Sequence, residues 1–345
     1  MLVHDRHARI QHARVHHRVQ HDRVQHEDRI HEMVNDTFGI GDGMEPEQNL
    51  EEDPIKEARG FYKQLEEASH PLCEGSLDST LTVAVRLLSI KSDWKVSQDA
   101  MDSMISLLGE LENPELNIPQ IFYQAKKLVS KLGLSYNRIH MLFNKNDVEL
   151  ENCKFYEHAR YKWTPGGKMI SIKVLHYLPL IPRLKRLYAL MSSAPHIKWH
   201  YENRRPSGVL SHPLDREAWK YFDRTYPDFA SESRNVRLGL CAYDFTPFSN
   251  SGTPYSCWPV FITSYNLLPE MCMTSPDIFL SCIIPGPRNP KCLIDVYLQP
   301  LIDELLQLWH EGVVTYDIST KQNFIMRTNL MWTINDFLGY EILSG

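Results

Sequence analysis

The stretch Val236-Arg237-Leu238-Gly239-Leu240-Cys241-Ala242-Tyr243 decides how the C-terminal part of the chain folds. It is short, apolar and β-prone, and it is followed by a loop through Pro247, Asn250 and Gly252, so it reads as a strand. Working outward toward the C-terminus, Trp258 to Tyr265 and Ile278 to Ile284 read as two more strands, the latter stopped by Pro285-Gly286-Pro287. Residues 298–311 follow a helical period, with Leu301, Leu305, Leu308 and Trp309 inward. A hairpin comes next, Val313 to Asp317 and Phe324 to Arg327. Asn329 to Ile334 then makes a last strand, with Asn335-Asp336 at its end.

Working outward toward the N-terminus, the character changes three times. Residues 139–207 form a basic segment, and between 154 and 205 it holds eleven Lys or Arg against Glu157 and Glu202. Tyr161, Trp163, Tyr177, Tyr188, Trp199 and Tyr201 are interleaved. Cations interleaved with aromatics suit a phosphate backbone, because neutralising phosphates releases counterions. Scattered Lys and Arg equally well solvate a protein surface. The candidate DNA contacts are Lys162, Lys173, Arg183, Lys185, Arg186, Lys198, Arg204 and Arg205. Residues 57–138 read as a helical domain: a short helix up to Pro71, helical periodicity over 77–135, and a helix opened by Pro119 and ended by Gly133. Lys126, Lys127 and Lys131 on its last helix admit a DNA-binding role or a merely solvated face. Residues 32–56 are an acidic linker with Gly39, Gly41, Gly43, Pro46 and Pro54. Residues 1–31 are a low-complexity tail rich in His and Arg.

Composition narrows the function classes. With 345 residues and 43% hydrophobic content the chain can bury a sizeable core. No apolar run is long enough to span a bilayer, and the His- and Arg-rich start is no secretory signal. Seven cysteines do not read as a disulfide framework, which points to a reducing compartment. Cys241, Cys257, Cys272, Cys282 and Cys292 lack metal spacing and read as small buried residues. Pro165-Gly166-Gly167-Lys168 lacks the spacing of a phosphate loop and reads as a turn, and His212 before Pro213 likewise. The net charge of -6 does not by itself suggest a nucleic-acid partner; the local clustering does.

Three strands, a helix and a further strand is the order that opens a ribonuclease-H-like fold. The expected class is therefore α/β: an N-terminal helical region followed by a partial ribonuclease-H-like domain over 208–345, incomplete at the C-terminus. In such folds one Asp ends the first strand and another ends the fourth, and together with a third acid they hold divalent ions for phosphoryl chemistry. Asp244 and Asp336 are the candidate catalytic and metal-binding residues, with Mg²⁺ or Mn²⁺ as the fitting ion. Asp295, Asp303 and Glu304 flank or begin the helix, where its dipole alone accounts for them.

From about residue 120 onward the chain resembles plant transposases of the CACTA (En/Spm) type. The resemblance rests on Val174-Leu175-His176-Tyr177-Leu178-Pro179-Leu180, Gly208-Val209-Leu210-Ser211-His212-Pro213 and Glu217-Ala218-Trp219-Lys220-Tyr221-Phe222-Asp223. It continues in Arg234-Asn235-Val236-Arg237-Leu238-Gly239-Leu240, Ile283-Ile284-Pro285-Gly286-Pro287 and Trp332-Thr333-Ile334-Asn335-Asp336-Phe337. It implies a cut-and-paste transposase that binds double-stranded DNA at transposon ends, works in the nucleus and cuts with a metal-dependent acidic triad. Self-association is left open.

Three departures from the family pattern point to a degenerate, truncated member. Where the family reads Asp-Gly-Phe after the first strand, this chain has Tyr243-Asp244-Phe245, and a one-residue shift turns a side chain to the other face. A bulge would rescue Asp244. The zinc-ribbon-like segment keeps only Cys153 and His158, too few for tetrahedral zinc, so zinc is not expected. Finally, the sequence reaches Gly345 just after Asp336, short of the later Cys pair, the acid-bearing helix and the further strands that the family pattern leads one to expect. The expected function is a catalytically incompetent transposase-derived fragment with DNA affinity. The alternatives are an active enzyme using Asp244 and Asp336, or a host-recruited DNA-binding or interaction protein.

Overall fold

The computed structural model describes residues 51–72, 76, 78–111, 119, 122–134, 136–140, 161–167, 169–171, 173–203, 212–246, 255–272, 274, 277–286, 290 and 294–335. They form two compact units: residues 59–132 with 190–192, and residues 51–58, 133–189 and 193–335.

The first unit is helical. Helix α1 is Lys56–Ala68, α2 Thr80–Asp93, α3 Gln98–Leu111 and α4 Phe122–Val129. Ser79 caps α2, its Oγ accepting from the Thr82 amide at 3.2 Å, and so satisfies a donor that the helix start leaves free. Asp102 ties α3 to the start of α4 by accepting from the Phe122 amide at 2.9 Å. Ala84, Leu87, Met101, Ile105, Phe122 and Ala125 are the core of this unit. The helix expected to stop at Gly133 instead runs from α4 into a π turn, Ser130–Leu134, that contains that glycine.

The second unit is built on a mixed six-stranded sheet. Its strands are β1 Asn137–His140, β4 Val174–Tyr177, β5 Val236–Ala242, β6 Trp258–Ser264, β7 Ile278–Ile284 and β10 Thr328–Asn335, in the order β1-β4-β7-β6-β5-β10. Every neighbouring pair is antiparallel except β5–β10, which is parallel. The parallel pair needs a crossover, and helix α10, Ile294–His310, lies in that connection and packs on β10. Two hairpins stand outside this sheet: β2 Tyr161–Trp163 with β3 Met169–Ser171, and β8 Val313–Asp317 with β9 Gln322–Met326. Helix α5, Leu180–Ala189, packs against β8 and α10. Short helices α6 Trp199–Glu202, α7 Glu217–Thr225, α8 Pro227–Ser231 and α9 Pro269–Cys272 complete the unit.

The strands expected from the sequence are present within a residue or two at their ends. The sheet is wider than expected, because β1, which begins in the stretch expected to be helical, and β4 from the basic segment add two strands beyond β7. Both faces of β5 are buried, since Val236, Leu238, Leu240 and Ala242 alternate with Arg237 and Gly239 and all are covered. Gly239 is required: a Cβ there would overlap the ring of Tyr265. Gly312 ends α10 in the left-handed region (φ +70°), with its amide on the Gln307 carbonyl at 3.0 Å, and turns the chain into β8.

Candidate functional site at the β5–β10 strand ends and the basic segment

Polar residues anchor the N-terminal end of β5. Asn235 donates to the Phe229 carbonyl at 2.9 Å and accepts from the Arg327 amide at 2.8 Å, so one side chain links α8, β5 and the start of β10. Arg237 is 1% exposed, yet it carries a charge. Its guanidinium donates to Asp223 at 2.6 Å and to His200 Nε2 at 3.2 Å, and it stacks over Trp219 with 4.7 Å to the ring centroid. A buried guanidinium is tolerated only with such partners. His200 Nδ1 lies 3.1 Å from the Ile197 carbonyl, which assigns the proton to Nδ1 and leaves Nε2 to accept from Arg237. Burial, then the Arg237 charge, pushes the His200 pKa down to about 3, so the ring is neutral.

The C-terminal end of β5 is open. Tyr243, Asp244 and Phe245 are all exposed. Pairing with β6 stays in step from Leu238 opposite Ser264, through Ala242 opposite Val260, to an isolated bridge of Phe245 with Cys257. From Ala242 three residues advance on one strand while three retreat on the other. No residue is therefore inserted at Tyr243 or Asp244, and the two side chains take opposite faces. Tyr243 stacks on Phe261, with centroids 6.0 Å apart and planes 11° from parallel, while Asp244 accepts a hydrogen bond from Ser256 Oγ. The irregularity in the β5–β10 pair lies between Leu330 and Trp332 instead.

Beyond that irregularity the register pairs Asn335 with Ala242, the residues just before Asp336 and Tyr243. Asp336 itself lies outside the described residues. Among the described residues no three His, Cys, Asp or Glu side chains are grouped so as to hold a metal ion. The described residues at this end supply one carboxylate, Asp244, which does not amount to a two-ion site.

The candidate DNA contacts divide between fold and surface. Arg183 is buried on α5 and donates to the Pro179 carbonyl at 2.8 Å. Arg186 is half-buried, and burial together with the neighbouring Arg183 charge pushes its pKa down to about 10, so it stays protonated at neutral pH. Lys185 pairs with Glu57 at 2.5 Å. Lys173 and Lys198 are half-buried, whereas Lys162 is exposed on the β2–β3 hairpin. Next to it Trp163 is 73% exposed. Arg204, Arg205, Cys153, His158 and the His-rich tail lie outside the described residues.

Two features were not foreseen in the sequence. Glu304 sits well inside α10 rather than at its start, and its Oε2 accepts from Tyr177 Oη and from the Leu180 amide, both at 2.5 Å. It therefore caps α5 and ties β4 to α10, a role that the helix dipole does not explain. The Tyr177 hydroxyl is held far above its ordinary range, by burial first and then by Glu304. The second feature is a line of contacts from residues 51–57 to the β8–β9 hairpin and α5. His212, read as a turn residue, caps a short 3₁₀ turn by accepting from the Leu214 amide at 3.1 Å. Cys257, Cys272 and Cys282 are buried as expected, and burial raises the Cys272 and Cys282 thiols to about 12, which keeps them protonated.

Residues 207–345 match the model of a transposase family, Transposase_21, described as transposase family tnp2. This part of the chain, which holds α7, α8, β5–β10 and α10, is similar to the transposases of that family. No curated protein matches the chain. No helix among the described residues is long and apolar enough to cross a membrane.

Proposed function

We propose that this chain is a DNA-binding protein of CACTA-type transposase descent that does not cleave DNA on its own. The observation that carries the reading is the in-step pairing around Tyr243. Asn335 lies opposite Ala242, the residue just before position 243, where the family pattern has its Asp and this chain has a tyrosine. Asp244 belongs to the opposite face.

The ribonuclease-H-like reading is supported by topology. The strands run β7-β6-β5-β10, antiparallel but for the parallel β5–β10 pair, with α10 in the crossover between β7 and β10. In a competent relative, two Mg²⁺ or Mn²⁺ ions held by carboxylates at these strand ends would supply the phosphoryl chemistry. Here Asp244 and Asp336 are the acids available for that role.

DNA affinity is assigned to the basic segment, with Lys162, Trp163, Lys173 and Lys198 as its contact residues and Arg204 and Arg205 beside them in sequence. Arg183 is assigned to the fold. Duplex DNA is the partner, and the resemblance to CACTA-type transposases implies the nucleus as the site of action.

A plasmid-nicking assay with Mn²⁺ tests the loss of cleavage. The expected result is binding without nicking. Nicking that disappears in Asp244→Asn and in Asp336→Asn would replace this reading with that of an active enzyme. A further variant, Tyr243→Asp, restores an acid at the position after Ala242 where the family pattern has one. Gain of Mn²⁺-dependent nicking in it would show that the tyrosine is what silences the site.

A further inference from the structure

The chain's own acidic segment lies along one surface of the second unit. The Glu51 carboxylate takes the Lys321 ammonium at 2.5 Å. One oxygen of Glu52 accepts from the Asn323 amide at 2.9 Å and from Asn323 Nδ2 at 3.0 Å. Asn323 Nδ2 also reaches the Asp53 carbonyl at 2.8 Å, and the Glu52 amide donates to the Lys321 carbonyl at 2.9 Å. Glu57 takes Lys185 on α5 at 2.5 Å. The surface beneath is thus a row of donors: two ammonium groups, one backbone N–H and one side-chain amide.

We propose that this row, Lys185, Lys321 and Asn323, is a phosphate-backbone surface, and that residues 51–57 occupy it as an acidic strap which DNA must displace. The inference rests on the DNA-binding reading and adds a competitor to it. Its physical basis is that carboxylates and phosphate oxygens make the same charge-assisted bonds to such donors. The Glu51, Glu57 and Lys321 side chains are each more than half exposed, while Lys185 is 20% exposed beneath Glu57. Pairs of that kind hold weakly and are screened by salt, so a polyanion can exchange with them. Lys321 sits at the hairpin turn in the left-handed region (φ +53°), which fixes its backbone beside Asn323. The donors therefore persist when the strap leaves, because the β8–β9 hairpin holds Lys321 and Asn323 and α5 holds Lys185.

The test is fluorescence anisotropy of the full chain on a labelled duplex at low salt. The strap variant carries Glu51→Gln, Glu52→Gln and Glu57→Gln. A control variant carries Asp228→Asn, Glu270→Gln and Glu311→Gln, which makes the same change in net charge away from the strap. The strap variant is expected to bind about tenfold more tightly, and the control to change by less than about twofold. Adding Lys185→Gln and Lys321→Gln to the strap variant is expected to return the affinity to the starting value. Equal tightening by strap and control variants overturns the strap and leaves the DNA reading intact. A gain that survives the two lysine changes also overturns it. Absence of binding in every variant, with the proteins folded, overturns both readings.

Discussion

The two ends of β5 are built on opposite plans. At the N-terminal end a charged side chain, Arg237, is sealed inside, bonded to Asp223, to His200 and to the Asn235 carbonyl and stacked on the Trp219 ring. At the C-terminal end the polar and aromatic groups, Tyr243, Asp244 and Phe245, face solvent. The same strand thus seals its charge inside the fold at one end and exposes it at the other. A charge in the sequence does not announce which use it serves; burial and partners do. The basic segment repeats the lesson on α5, where Arg183 is spent on the Pro179 carbonyl while Lys185 reaches the surface.

Breaking the sealed end should cost most. Asp223→Ala strips a buried guanidinium of its carboxylate and is expected to lower stability by about 3 kcal/mol, read as a shift in the urea unfolding midpoint. A loss below about 0.5 kcal/mol, the level of an ordinary surface change, would show that His200, the Asn235 carbonyl and the aromatic rings hold Arg237 without Asp223. Gly239→Ala, in the middle of the strand, forces a methyl into the Tyr265 ring and is expected to cost about 2 kcal/mol by the same measurement. If it is neutral, the close packing of Tyr265 on β5 is not what fixes that glycine.

His200 sharpens the comparison through pH. Its folded pKa, about 3, lies below the ordinary 6.5, so the unfolded chain binds the proton more readily. The stability this neutral ring contributes is complete above pH 6.5 and falls as pH drops toward 3. The expected slope approaches ~1.4 kcal/mol per pH unit. His200→Gln should remove that part of the slope between pH 6.5 and 4. An unchanged slope would assign the acid sensitivity to other groups. At the open end Tyr243→Ala is expected to cost under ~1 kcal/mol, since it loses one ring stack at the surface. A cost as large as that of Asp223→Ala would mean that the open end is structural as well.

Much of the sheet could be read in advance because its strands are short apolar runs punctuated by Pro and Gly. Ile278–Ile284 and Val313–Asp317 begin and end where the sequence placed them. What escaped were elements and roles fixed by distant partners. β4 looks too short and too mixed to be a sheet member until β7 is beside it, pairing His176 with Ile283 and Tyr177 with Cys282. Glu304 has the sequence profile of any helix carboxylate, and only the approach of Tyr177 and Leu180 across more than a hundred residues makes it a cap. The acidic stretch before Lys56 reads as a linker because nothing in the sequence pairs it with the hairpin some 270 residues later that receives it. Of the two candidate acids, the face taken by Asp244 was a question of register. The sequence framed it as a bulge or no bulge, and pairing partners on β6 were needed to decide.

The most direct measurement of the central claim is the affinity of the full chain for duplex DNA across a salt titration. The account predicts binding whose logarithm falls linearly with the logarithm of salt concentration, with a slope that shrinks when Lys162, Lys173 and Lys198 are changed to Gln. Absence of binding at low salt by the folded protein, or binding indifferent to salt and to those three lysines, would contradict it.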